Sequence, residues 1–260
     1  MRACRLGWMV ALAVVVGGCG RAEIERGDDV IYFVPGAAGD GAWYDQAVAA
    51  LAREMPEWSI RVHRWGAGGP FFVANFQGES IHREAESALA RRIGEARGRI
   101  LLIGHSAGGG VVLGALARSG RRVEGAVLLH PSVSPGYDLR PALESLASPL
   151  VVLYSEQDRL FLRHRTGTFG TYDNVRTPAA GHLGFDLTEE TAQRVIQRPW
   201  TERDRRLGND GGHFGPLAGD FVAREVVPLL KAPPSGPPAA PFESGAGSRP
   251  ARTPSTGAPR

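Results

Sequence analysis

The stretch Arg99 to Gly120, RILLIGHSAGGGVVLGALARSG, constrains this chain more than any other. Arg99 to Ile103 is a short apolar run of the kind that forms a buried strand. Val111 to Ala117 is apolar with helical character, and Gly120 stops it. Between them lies Gly104-His105-Ser106-Ala107-Gly108, a G-x-S-x-G. A strand that turns directly into a helix holds the central serine in a strained conformation and lifts its hydroxyl above the sheet edge. Glycines at 104 and 108 leave room where a Cβ would collide with a neighbouring strand or helix. The helix N-terminus adds free N–H groups and a positive dipole end, which suits a developing oxyanion. In a chain with 35 glycines among 260 residues the pentapeptide alone can arise by chance, so the flanking strand and helix carry the weight. The competing reading is a glycine-rich turn in another kind of α/β protein, such as one that binds a phosphate.

Other segments supply strands and helices in alternation. Asp29 to Pro35, Trp58 to Trp65, Val123 to His130 and Pro149 to Tyr154 read as strands. Ala42 to Met55, with Trp43, Val48, Leu51 and Met55 at helical spacing, reads as a helix ended by Pro56. Glu79 to Arg97 reads as an amphipathic helix burying Ile81, Ala85, Ala88, Leu89 and Ile93, its charged residues forming a solvated face. Asp220 to Lys231 reads as a terminal helix. This order predicts an α/β fold with a mostly parallel central sheet covered by helices on both faces. Only about twenty residues separate the strands on either side of Tyr137, which leaves room for a short cap and no large lid. Gly66 to Gln77, GAGGPFFVANFQ, is a glycine and aromatic loop that either lines a substrate entrance, with Phe71-Phe72 making it greasy, or simply packs.

The termini differ in character from the middle. Arg2 and Arg5 precede an apolar run, Leu6 to Val16, too short to span a bilayer comfortably, and Val16-Gly17-Gly18-Cys19 follows. That ending resembles the lipobox of bacterial lipoproteins. The resemblance implies a signal peptide over 1–18, cleavage before Cys19, and a lipid anchor on Cys19 holding the protein to the bacterial envelope. The other reading is an ordinary secretory signal. Residues 19–28 would then be a linker, 29–231 the folded domain, and 232–260 a disordered tail rich in Pro, Gly, Ala and Ser. The formal net charge of +3 falls to +1 once Arg2 and Arg5 are set aside, and no aromatic-interleaved basic patch points to nucleic acid. Without Cys4 and Cys19 the domain has no cysteine for a disulfide or a thiolate metal site. No metal cluster, P-loop or dinucleotide fingerprint is evident, so no cofactor is expected.

Serine becomes a useful nucleophile only when a base takes its proton and a carboxylate orients that base. With Ser106 at its turn, candidate acids after the strand PLVVLY and candidate histidines further on, the segment 29–231 resembles the α/β-hydrolase family. The resemblance implies acyl transfer to water by Ser106, with an acid and a histidine on loops after late strands. The acid it points to is Asp158, with Glu156 as fallback and a turn or cap role as the plain alternative for Asp158. It also implies oxyanion donors at Ala37, in the loop Gly36-Ala37-Ala38-Gly39 after the first strand, and at Ala107. The usual histidine before that first glycine is Pro35 here, so this loop is a looser match, and its other reading is a plain strand-to-helix turn.

Spacing alone leaves the base open. His63 lies on a strand and reads as structural, His105 points away from the reacting side, His130 ends a strand as a possible pocket residue, and His164 lies in an arginine-rich segment. His182, in AGHLG, is near Asp158 and would be delivered by a weak strand over Asn174 to Thr177. His213, in GGHFG, stands just before the terminal helix, with Val195 to Trp200 as the last strand. SPGYDLRPAL, FGTYDNV and GGHFG also resemble an uncharacterised bacterial subgroup of the family, in which the C-terminal glycine-flanked histidine is the matching one. His213 is therefore preferred, with His182 the alternative. The expected partner is a small-molecule or lipid-like acyl substrate. Two other functions remain open: a catalytically weak envelope lipoprotein that binds or scaffolds, and an acyltransferase using the same three residues.

Overall fold

The computed structural model describes residues 24–67 and 74–231. The signal peptide, Cys19, Phe71-Phe72 and the tail over 232–260 lie outside the described residues.

Six strands form one sheet: β1 (Val30–Val34), β2 (Ser59–Val62), β3 (Ile100–His105), β4 (Gly125–Leu129), β5 (Leu150–Tyr154) and β6 (Val195–Pro199). Their order is β2-β1-β3-β4-β5-β6, and every pair is parallel. β1, β3 and β4 are buried along their whole length, as continuous apolar runs require. Alternation sorts their side chains between two cores. Val30, Tyr32, Ile100 and Leu102 face one side; Ile31, Phe33, Leu101 and Ile103 face the other.

The first core is closed by α2 (Glu79–Glu95), α3 (Ala107–Ser119) and α4 (Arg140–Glu144). The second is closed by α1 (Asp45–Glu54) and by a terminal helical run whose segments are Gly219–Phe221, Val222–Val226 and Val227–Lys231. Each fully buried Leu, Ile or Phe in these layers contributes roughly 1.5–3 kcal/mol by leaving water.

The strand order places the crevice. β1 lies between β2 and β3, so successive connections leave it in opposite directions across the sheet. Loops at the carboxyl ends of two such strands diverge and open a cleft. Val34 at the end of β1 pairs with Gly104 near the end of β3. The loop carrying Ala37 and the turn carrying Ser106 thus start side by side.

Several local expectations change. The buried face of α2 is His82, Ala85, Glu86, Leu89 and Ile93, with Ile81 and Ala88 only half-buried. Glu86 does not belong to a solvated face. Its stem fills the space left by Gly114 on α3, where a Cβ would come within 2.2 Å of it. Its carboxylate accepts from Tyr172 Oη at 3.0 Å and from Arg118 Nη2 at 2.8 Å, which satisfies the buried charge. Trp43 does not join the apolar face of α1. It sits in a 3-10 turn before that helix and is 44% exposed. Residues 174–177 form no strand; β6 takes the place beside β5. After Asp158, Leu160–Arg165 and Thr166–Phe169 form helical turns. Residues 24–28 are held to the sheet, through a bridge from Ile24 to Ile60 and bonds to the Ser59 hydroxyl.

Candidate active site

Ser106 joins β3 to α3 with φ 54° and ψ −127°, a conformation that a residue with a Cβ rarely adopts. Such a backbone costs on the order of 1–3 kcal/mol and persists only when its surroundings over-determine it. Here its N–H donates to Leu129 O, and its carbonyl accepts from the N–H groups of Gly109 and Ser132, each at 3.0 Å. The glycines answer the tightness of the turn. A Cβ on Gly108 would meet Val34 O at 2.3 Å, and one on Gly104 would meet Gly108 O at 2.8 Å.

Asp158 follows β5, 2% exposed, and its N–H is tied back to Ser155 O at 3.1 Å. His213 lies 55 residues further on, and its Nδ1 donates to Asp158 Oδ2 at 2.6 Å. That bond fixes the tautomer: with the proton on Nδ1, the lone pair on Nε2 is free to take another. The His213 ring also stacks on Phe161, centroids 4.5 Å apart. His130 Nδ1 lies 3.6 Å from the same carboxylate oxygen, near enough to act on its charge but without a hydrogen-bond partner among the described residues. Burial pushes the Asp158 carboxyl up, but the two histidine rings outweigh it and hold the group well below the usual carboxylate range. Asp158 is thus a buried carboxylate, and burial keeps His130 neutral.

His182 has other company. It is buried in the helical turn Ala180–Leu183, and its Nδ1 lies 3.2 Å from the carbonyl of Ser155. Glu156 is exposed. The structure therefore brings Asp158 together with His213, and leaves His182 on main chain.

Ser106, Ala37, Ala107 and His213 line one cavity of about 70 Å³. Trp43, Phe76, Phe161, Phe169, Tyr172 and Phe214 supply much of its wall. Ala107 is the first residue of α3, where the N–H has no acceptor within the helix. Among the described residues no hydrogen bond joins Ser106 Oγ to the His213 ring, and such contacts commonly tighten only around a substrate. The short cap is the pair of turns over Leu160–Phe169, after β5 rather than after β4.

Tyr44 and Asn75 support the site with no motif to mark them, and His105 joins them. Tyr44 Oη accepts from the Gly36 N–H at 2.7 Å and donates to His105 Nδ1 at 2.8 Å. His105 Nε2 in turn donates to His213 O at 2.9 Å. Contrary to expectation, the His105 ring reaches the cavity wall and links the first loop to the last. Asn75, 1% exposed, donates to Ala37 O at 2.9 Å and accepts from the Ala67 N–H at 2.7 Å. The ANF at the end of the aromatic loop was the available signal: an isolated asparagine among apolar neighbours must find buried partners. Among the described residues no group of three metal-ligating side chains is present.

No protein-family model matches this chain, and no curated protein does. Solved structures resemble it in fold. A lipase-esterase related protein from Clostridium acetobutylicum superposes with a TM-score of 0.50 at 11% identity, over 80% of this chain and 98% of that one. A pyrethroid hydrolase from Sphingobium faniae gives 0.43 at 15% identity, over 79% of this chain and 98% of that one. MGS-M1, an alpha/beta hydrolase from a deep-sea metagenome library of the Medee basin, gives 0.45 at 15% identity, covering 77% and 79%. The six-stranded parallel sheet, with helices on both faces and a serine turn after β3, is the α/β-hydrolase fold.

Proposed function

We propose that this protein is a serine hydrolase that cleaves an ester or related acyl substrate through an acyl-enzyme. The observation that carries the reading is the 2.6 Å bond from His213 Nδ1 to buried Asp158, in a cavity that also holds Ser106 on its strained turn. His213 Nε2 takes the proton of Ser106 Oγ as the oxygen attacks the carbonyl carbon. Negative charge gathers on the carbonyl oxygen and is met by the N–H groups of Ala37 and Ala107. His213 then protonates the leaving alcohol. Water then attacks the acyl carbon, giving a proton to His213, which passes that proton to Ser106 Oγ as the acid leaves, restoring both residues. Asp158 keeps the imidazole oriented and offsets its transient positive charge. The aromatic wall suits an apolar acyl group, either soluble or lipid-like.

The proposed location is the bacterial envelope, through lipid on Cys19. Incorporation of labelled palmitate that is lost in Cys19→Ala would support it; equal incorporation in that variant would remove it.

The enzyme reading is tested with a fluorophosphonate probe on the full-length protein in detergent. Labelling lost in Ser106→Ala and His213→Ala, yet kept in His182→Ala, is the expected result. Loss in His182→Ala alone would transfer the base to His182. A folded wild type that takes no label would favour a binding or scaffolding lipoprotein, the reading consistent with the missing Ser106–His213 bond. If labelling occurs and an added alcohol diverts the product from free acid to a new ester, the enzyme is an acyltransferase.

A further inference from the structure

Among the described residues, the cavity beside Ser106 has one formally charged side chain on its wall, Arg165, and no carboxylate. Arg165 ends the helical turn Leu160–Arg165 that also supplies Phe161, the ring stacked on His213. Its guanidinium lies over the Phe76 ring, 3.7 Å from the centroid. The side chain is half-buried, and among the described residues it has no ion pair or hydrogen bond.

Four other arginines of the domain, by contrast, have a counter-charge. Arg61 pairs with Glu25, Arg99 with Asp29, Arg118 with Glu86 and Arg198 with Asp204. A guanidinium drawn out of water without a counter-charge is unfavourable, and here burial lowers its proton affinity with no acid acting against it. The aromatic face beneath it offsets part of that cost but uses none of its N–H groups. Those donors form a planar fork that matches a carboxylate.

Resting on the hydrolase reading, we propose that the preferred substrate carries a carboxylate on its acyl chain and that Arg165 binds it. The substrate class is then the monoester of a dicarboxylic acid. The ester carbonyl reaches Ser106 while the far carboxylate meets Arg165, and the aromatic wall covers the methylenes between.

The test compares 4-nitrophenyl hydrogen adipate with 4-nitrophenyl hexanoate, esters of equal chain length that differ in the terminal carboxylate. Full-length wild type is expected to favour the adipate about tenfold or more in kcat/KM, a preference that shrinks as salt is raised. Arg165→Gln is expected to lower the adipate-to-hexanoate ratio by about tenfold, and Arg165→Glu to reverse the preference. Arg165→Lys, which keeps the charge and loses the fork, should fall between. Equal kcat/KM for the two esters in wild type would overturn the proposal, as would a ratio unchanged in Arg165→Gln. If neither ester is turned over, the hydrolase reading fails separately. Calorimetric binding of adipate to Ser106→Ala, compared with Ser106→Ala/Arg165→Gln, then decides the anion site: binding lost only in the double variant supports it, and equal or absent binding sinks it.

Discussion

His105 Nε2 donates to the main-chain carbonyl of His213 at 2.9 Å. The contact joins the residue before the candidate nucleophile to the loop that carries the candidate base. Through Tyr44 Oη the same ring is coupled to the Gly36 N–H, one residue before Ala37. The proton count closes without strain: Gly36 donates to Tyr44, Tyr44 donates to His105 Nδ1, and His105 donates to His213 O. Burial holds His105 neutral, which this chain requires.

His105→Phe would leave both Tyr44 Oη and His213 O short of a partner, two losses on loops that must stay in register. The expected result is a fall in kcat of about tenfold with little change in KM, together with about 2 kcal/mol of lost stability. His105→Gln, which retains an acceptor and a donor, should recover much of kcat. A Phe variant with unaltered kcat would show that the contact does not position the base.

The Asp158–His213 bond predicts a larger effect. Asp158→Asn preserves shape but favours the wrong proton arrangement on the imidazole, and it removes the charge that offsets the imidazolium. Turnover of a 4-nitrophenyl ester should fall by roughly 10³–10⁴. A fall of less than tenfold would place the working acid elsewhere.

Asn75 Nδ2 donates to Ala37 O, in the loop whose Gly36 N–H is held by Tyr44. In Asn75→Ala that carbonyl and the Ala67 N–H each lose a buried partner, at a cost of about 2–3 kcal/mol in urea unfolding. If the Ala37 N–H helps to bind the oxyanion, kcat should drop about tenfold while fluorophosphonate still labels Ser106 slowly. Normal turnover in a destabilised variant would limit Asn75 to a structural role.

Stability should depend on pH through His63. Burial first, and then the Arg92 charge, depress this ring to about 4, from an ordinary value near 6.5. Above about pH 6.5 the ring is neutral in both folded and unfolded chains, and its contribution is fully present. As pH falls from about 6.5 to 4 the unfolded chain takes up a proton that the folded chain refuses. Each unit then removes about 1.4 kcal/mol, or roughly 3 kcal/mol in all from this group. Buried His105 and His130 act in the same direction. The urea midpoint should therefore drop between pH 7.5 and 5, and His63→Asn should flatten part of that slope. A midpoint constant over this range would contradict the account.

What the sequence by itself determined lies within single segments. Apolar runs of strand length, the helical spacing of Val48, Leu51 and Met55, and the glycines around Ser106 each encode a local geometry. Summed in order, they specify the parallel sheet and the position of the serine turn. Three questions depended on segments that meet only after folding. The pairing of His213, rather than His182, with Asp158 is settled by which loop crosses the carboxyl end of β5, and both histidines sit in similar glycine-flanked settings. The cap comes from Leu160–Phe169, where a wide turn over Leu160–Arg165 passes into a single α turn and leaves no clean period to read. The roles of Tyr44, Asn75, Glu86 and Arg165 follow from partners 8 to 89 residues away, or from the lack of a counter-charge. Local pattern fixes secondary structure because neighbouring residues share one backbone path. Contacts between loops carry no such periodicity, so only the tertiary packing decided them.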